Sequence, residues 1–358
     1  MSEEAGKNLM AHDLGYSSSK SAYLTLGPNE KPGEAISRIE VEHCPGGVQE
    51  FGLSDATVGR KEKTAKVVVD DKLYVAGVDH KTVGHDRQRS EHFIYQPEWM
   101  ARFKAAVKRS GFSNKTIDTL VLGLPCDMYY NHANPTEKSA QVKHLEEACS
   151  GTIDIDGEQT YEVKKVVVMA QPHGTYWGFF GKTKDNSLRN LARRGSILVM
   201  DVGYYTFDWI NLDKLNVVLR NSNSRPNAFH QVLDNAAGSI TADLREQGLT
   251  KAKVSPDDIE DALFNGETTV LVGSKEIEID PYLYTASETV AAQVFKAIEG
   301  DVGQTPPSLI LVSGGGAKHF APHIERWAES MGTKVITPDS PERLNAFGYM
   351  TNALINHS

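Results

Sequence analysis

The sequence predicts an α/β protein of two duplicated domains, each a mixed β-sheet flanked by helices. Three observations lead there. The chain has 358 residues, enough for two separate hydrophobic cores. Short β-branched runs such as "DTLVLGLP" and "SILVMD" alternate with stretches of helical apolar spacing such as "PEWMARFKAAVKR". One device also occurs twice: aligning Asp13 with Asp201 superposes Gly15 on Gly203, Tyr16 on Tyr204 and Ser18 on Thr206. At the eighth position of the repeat the copies differ, with Lys20 in the first and Asp208 in the second.

Taken in order, residues 8 to 26 read as a β-hairpin about the Asp-x-Gly turn. From Ile36 to Ala76 the chain is β-rich, with "KVVVDDKLYVAG" a hairpin about Asp70 and Asp71. We expect this segment, bounded at about 36 and 85, to be a subdomain inserted in the first domain. In the next helix Trp99, Met100, Phe103 and Val107 share one face. The strand "DTLVLGLP", a helix over "PTEKSAQVKHLEEAC", a strand over "YEVKKVVVMAQP" and a helix over "GTYWGFFG" complete the first domain, residues 1–194. A second half, 195–340, opens with "SILVMD" and a repeat of the hairpin. It continues through the helices "FHQVLDNAAGSITADLREQG" and "SPDDIEDALF", the hairpin "TVLVGSKEIEI" and the helix "ASETVAAQVFKAI", of which about 249–300 form its own subdomain. "PSLILVSGGGAKHFAPHIERWAESMG" gives a buried strand, a glycine turn and a helix. "PERLNAFGYMTNALI", within 341–358, is a helix that returns to complete the first domain.

Composition narrows the function. With 40% hydrophobic and 24% charged residues the chain is that of a soluble folded protein, and no apolar run approaches the roughly 20 residues needed to span a bilayer. The acidic start "MSEEAGKN" lacks the basic and apolar regions of a leader and is not an amphipathic anchor, and three cysteines without CxxC spacing suit a reducing compartment, so a cytoplasmic, membrane-free protein is expected. A formal net charge of -9 disfavours direct contact with nucleic acid. His80, His85 and His92 with Asp79 and Asp86 match no metal-ligand spacing and read as a solvated loop, as does the basic run "GRKEKTAK".

The repeated hairpin carries the chemistry. A turn without a Cβ lets backbone N–H groups approach phosphate oxygens. The hydroxyls of Ser17, Ser18 and Thr206 add donors, and Lys20 neutralises charge. Carboxylates beside phosphates make sense with a divalent cation: Mg²⁺ keeps several waters, and Asp13 and Asp201 can hold it through them or ligate it. Gly314, Gly315 and Gly316, between a strand and a helix, let a flat purine or sugar lie against bare backbone near a helix N-terminus.

The order "DLGYSSSK", "VVVMAQPHGTYWG", "MDVGYYTFD", "LILVSGGGA" and "PERLNAFGY" resembles the five blocks of the actin, sugar kinase and heat-shock chaperone ATPase superfamily, over the whole chain. Within it the sequence looks most like actin-like proteins of the ParM and StbA plasmid-segregation type. The Gly-Tyr of the first hairpin, the Gln-Pro before the first connecting helix and the Asn-Ala-x-Gly-Tyr near the C-terminus carry that resemblance. It implies an actin-like ATPase fold with ATP, or GTP as the alternative, and Mg²⁺ in a cleft between the domains. Carried over by position, Asp13, Gly15, Tyr16, Ser17, Ser18 and Lys20 form the first phosphate block, and Asp201, Gly203, Tyr204, Tyr205 and Thr206 the second. Gly314 to Gly316 form the adenosine block. Gln171 falls where the family places the residue that orients the attacking water. Two positions depart from the pattern: Thr175 stands where a smaller residue is common in the connecting helix, and "NSNSRPNAF", residues 221–229, replaces a glycine-rich stretch.

The implied function is a polymerising ATPase whose partners are further copies of itself and a DNA-binding adaptor of the ParR type. A sugar-type kinase on the same fold and a non-polymerising nucleotide-gated scaffold are the alternatives. A chaperone would need an appended substrate-binding domain, and only ten residues follow Gly348.

Overall fold

The computed structural model describes residues 6–51, 64–78, 92–302 and 305–358. The histidine-rich stretch but for His92, and most of the basic run, lie outside them. The chain divides into two compact units: residues 1–190 with 342–358, and residues 191–341.

In the first unit, β1 (Lys7–Leu14) and β2 (Ser18–Leu26) form the expected antiparallel hairpin, and β3 (Val41–Pro45) extends it. After β4 (Gly47–Glu50), β5 (Ala65–Val69), β6 (Lys72–Val78) and the two-residue β7 (Thr116–Ile117) comes β8 (Thr119–Leu124), which lies parallel to β1. The strand read as one piece over "YEVKKVVVMA" is two. β10 (Thr160–Val163) pairs with β7 and with β9 (Gly151–Asp154), whereas β11 (Val166–Ala170) lies parallel to β8. The main sheet therefore runs β11-β8-β1-β2-β3.

The inserted subdomain starts later than expected. β3 belongs to the main sheet, and only β4, β5 and β6 form a separate three-stranded sheet. Its tip is the predicted hairpin turn: Asp70 and Asp71 take φ of 49° and 61°, the left-handed pair that matches the twist of two-residue hairpins.

Strand alternation assigns the two faces of the main sheet. Met10, Leu120, Leu122 and Val168 pack with Trp99, Phe103 and Val107 of α1 (Pro97–Ser110), while Leu9, Ala11, Val121 and Met169 pack with Phe347, Tyr349 and Met350 of the C-terminal helix (Leu344–Asn356). α2 (Ala140–Ala148) begins five residues later than Pro135, because the Ser139 hydroxyl caps it by accepting from the Val142 N–H at 3.1 Å. α3 (Gln171–Lys182) crosses the C-terminal helix at two glycines: a Cβ on Gly348 would stand 1.8 Å from the Gly174 carbonyl oxygen. Thr175, the departure noted in the sequence, fits this crossing. It is fully buried and donates to Asn345 Oδ1 at 2.8 Å.

The second unit repeats the plan. β12 (Ser196–Val202) and β13 (Phe207–Asp213) form the second hairpin. β14 (Asn216–Val217) and β15 (Asn223–Arg225) add to β13. β18 (Leu309–Ser313) lies parallel to β12, and β19 (Lys334–Ile336) parallel to β18. The strand pairings β8-β1-β2 and β18-β12-β13 thus share one order and one set of directions. α4 (Phe229–Glu246) packs on α6 (Asp280–Val302), which starts six residues before the predicted Ala286. α5 (Pro256–Asn265) has a complete capping box between Ser255 and Asp258, and β16 (Thr269–Val272) with β17 (Lys275–Glu278) forms the expected outer hairpin. α7 (Ala317–Glu329) follows the glycine turn.

Candidate functional site

The register explains why the eighth position of the repeat matters. Asp13 stands opposite Lys20, and Asp201 opposite Asp208, so the repeat differs at the cross-strand partner of its own carboxylate. Directly opposed residues of an antiparallel pair project to the same face. All four side chains are buried.

In the first unit the hairpin brings Asp13, Gly15, Tyr16, Ser17, Ser18 and Lys20 together by construction. Gln171, distant in sequence, joins them. It is the first residue of α3, not the last of β11, and its Nε2 donates to Asp13 Oδ1 at 3.2 Å. Burial raises the Asp13 carboxyl above its ordinary range, and Lys20, the Gln171 amide and Arg102 pull it back. With its N–H on the carboxylate, the Gln171 amide keeps its carbonyl oxygen as an acceptor.

The turn itself is held from below. Arg102 of α1, only 3% exposed, donates to the Gly15 carbonyl oxygen at 2.6 Å and to Ser19 Oγ at 3.1 Å. Its guanidinium also lies over the Phe93 ring, 5.5 Å from the centroid, and the same ring stacks with Tyr16 at 4.8 Å. The Gly46 N–H donates to the Ser17 carbonyl oxygen at 3.0 Å. Beside Asp13, His12 is fully buried, with Nδ1 2.7 Å from Ser21 Oγ. Burial, then Arg109, Arg102 and Lys20, hold it well below the usual histidine range and keep it neutral.

In the second unit Ser313, at the end of β18, donates to Asp201 Oδ1 at 3.1 Å. The Gly203 N–H closes the turn on the Thr206 carbonyl oxygen at 2.9 Å. The first N–H groups of α4 dock on the hairpin: Phe229 N–H donates to the Gly203 carbonyl oxygen at 3.3 Å and His230 N–H to that of Tyr204 at 2.8 Å. These are the donors a helix start leaves unused.

The three glycines after β18 are not alike. Gly314 has φ +93°, and a Cβ there would meet the Val202 carbonyl oxygen at 2.3 Å and Asp201 Oδ1 at 2.6 Å. Gly316 donates to the Val202 carbonyl oxygen at 2.9 Å and has no room for a Cβ between Val202 and Phe229. Only Gly315 faces open space. The triplet is thus packed against the second hairpin, and Gly315 is the one positioned to leave backbone bare. His319, in the first turn of α7, stacks on Phe229 at 4.8 Å, and burial lowers its pKa.

Among the described residues no group of three or more His, Cys, Asp or Glu side chains could hold a metal ion unaided. Any divalent cation must complete its shell with water and ligand oxygens, which suits Mg²⁺. The donor types fit: Asp201 and Asp208, buried and opposed in register, carry carboxylate oxygens of the kind such a cation and its waters take. No described helix is long and apolar enough to cross a membrane.

Sequence reading named every residue of the two turns and the Lys20/Asp208 difference, but not Arg102 and Ser313, which bond the first turn and the Asp201 carboxylate. Arg102 carried a signal: it is three residues from Trp99 and adjoins Phe103, on the face that spacing assigned to the core.

Comparison with known proteins agrees with the duplicated architecture. The family model for the N-terminal domain of actin-like proteins matches residues 11–174, and that for the C-terminal domain of the archaeal actin homologue MreB-like proteins matches 199–326. No curated protein matches the sequence. Among solved structures, Ta0583, an archaeal actin homolog, superposes with a TM-score of 0.68 at 18% identity, over 97% of this chain and 99% of that one. A 15-stranded ParM filament from Clostridium botulinum gives 0.67 at 16%, over 96% and 98%. The complex of Ta0583 with ADP gives 0.68 at 16%, over 96% and 98%. With one actin-family model on each half and that fold along nearly its whole length, the chain belongs to the actin-like proteins.

Proposed function

We propose that this protein binds and hydrolyses ATP with Mg²⁺ and assembles into filaments that segregate a plasmid or other DNA through an adaptor of the ParR type. The recurrence of one turn in both units carries this reading: a buried acid, then a glycine whose carbonyl oxygen is held by a donor from another element. The solved ADP complex of Ta0583 and the ParM filament support it as relatives in fold.

In this reading Lys20 and the Tyr16 and Ser18 N–H groups bind phosphate oxygens at the first hairpin, and the Tyr204, Tyr205 and Thr206 backbone does so at the second. Asp13 and Asp201 hold the hydration waters of Mg²⁺, which neutralises phosphate charge when bound. Gln171 is too weak a base to take a proton. Oriented by Asp13, its carbonyl oxygen accepts a hydrogen bond from the attacking water, so its contribution is positional. Gly315 lies under the sugar or base.

The test is phosphate release and light scattering on the purified protein with Mg-ATP, with negative-stain microscopy of the product. Turnover unchanged in excess chelator overturns the Mg-ATPase. A protein that stays monomeric at high concentration with a non-hydrolysable analogue overturns assembly, and phosphate transfer to a sugar would establish the kinase alternative.

A further inference from the structure

The carbonyl oxygens of a phosphate-binding turn are a liability, because any that faces the ligand repels it. A trans peptide is planar, so anchoring a carbonyl on one side sends the following N–H to the other. In the first hairpin Arg102 takes the Gly15 oxygen at 2.6 Å and the Gly46 N–H takes the Ser17 oxygen at 3.0 Å. The Tyr16 N–H is thereby turned away from Arg102, and the Ser18 N–H away from Gly46. In the second hairpin the matching oxygen, on Gly203, is taken by the Phe229 N–H at 3.3 Å. One position of the repeat is anchored twice, by a helix N-terminus in one unit and by a buried arginine in the other.

We infer that Arg102 is a positioning residue that holds the first hairpin in its phosphate-binding form, doing for Gly15 what the start of α4 does for Gly203. This rests on the nucleotide-binding reading above. Arg102 is not a catalytic residue: it is 3% exposed, and its donors go to the Gly15 carbonyl oxygen and Ser19 Oγ. Its geometry is what matters. A planar fork can grip the carbonyl and the hydroxyl at once, and the Phe93 ring, which also carries Tyr16, fixes its plane. Lysine keeps the charge but not the fork.

The experiment measures ATP, ADP and adenosine affinity of the full chain as wild type, Arg102→Lys and Ser19→Ala. The expected result for Arg102→Lys is about tenfold weaker ATP and ADP binding with adenosine unchanged, since only the phosphates meet the turn. Ser19→Ala, which removes one anchor of the guanidinium and keeps the arginine, is expected to weaken ATP by about threefold with the same selectivity. A folded Arg102→Lys that binds ATP as wild type does overturns the inference. So does an equal loss for ATP and adenosine, which would mark a merely structural role. If Arg102→Lys fails to fold, Ser19→Ala decides by the same criteria. Wild-type protein that binds none of the three ligands overturns the nucleotide-binding reading itself, an outcome distinct from a variant that fails to differ.

Discussion

The hairpin of the first unit and that of the second share strand order, turn sequence and register, yet they balance charge in opposite ways. Asp13 faces Lys20 and bonds Gln171; Asp201 faces Asp208 and bonds Ser313. The first is a pair that can neutralise itself and a partner amide that can be aimed. The second sets two acids directly opposite each other, an arrangement of like charges that costs stability. Duplication has thus kept the backbone device and let the eighth residue set the charge beside each acid, a cation in one turn and a second carboxylate in the other.

The comparison can be broken most severely at its carboxylates. Asp13→Ala and Asp201→Ala are each expected to lower ATP hydrolysis by about 10³-fold or more while the circular dichroism of the fold is retained; full activity in either would make that hairpin purely structural. Gln171→Ala comes next. Losing a positioned water should cost on the order of 10²-fold in rate, about 2.7 kcal/mol of barrier, with ATP affinity nearly unchanged and polymers that persist longer. Phosphate release and polymer lifetime measured on one sample test it, and normal values for both reject the assignment.

Charge swaps sharpen the contrast further. Asp208→Asn should stabilise the metal-free protein to denaturant by about 1 kcal/mol and weaken its response to Mg²⁺. Lys20→Met should do the reverse, destabilising the chain by about the same amount because Asp13 loses its opposite charge. The smallest effect is in pH. The Asp13 carboxyl titrates higher in the folded chain than unfolded, so its contribution is fully present below the unfolded value of 3.8 and is lost as pH rises through the raised folded value. Asp13→Asn should therefore raise Tm at neutral pH, with the gain vanishing in acid. A gain that grows in acid would show the sign to be wrong.

How much of this could be read in the chain depends on the range of the interactions. The duplicated hairpin was legible because glycine turns and alternation are local, and even the divergence at Lys20 and Asp208 stood out by alignment. Elsewhere local reading failed for identifiable reasons. The two strands on either side of Lys164 and Lys165 share one β-branched run, and only their different partners, β7 and β8, separate them. "VEHCP" reads as part of the insertion because nothing in it tells that its neighbour is β2. α2 started late because the Ser139 cap outweighed a preceding stretch with good helical composition. Of the site, the residues on the turns were readable. Arg102, which holds the first turn, and Ser313, which holds the Asp201 carboxylate, come from elsewhere in the chain, and side-chain hydrogen bonds between distant segments leave no periodicity behind.

The glycine contact between α3 and the C-terminal helix has a consequence for the order in which the molecule can be made. Gly174 leaves the ribosome long before Gly348, and until then the sheet face of Leu9, Ala11 and Val121 lacks the part of its cover that Phe347, Tyr349 and Met350 supply. At about 5–20 residues per second, that cover stays incomplete for on the order of ten seconds or more, while the whole second unit is translated and free to fold. Nascent chains should therefore complete the later unit first and the earlier one last, with the first unit needing chaperone shelter in the interval.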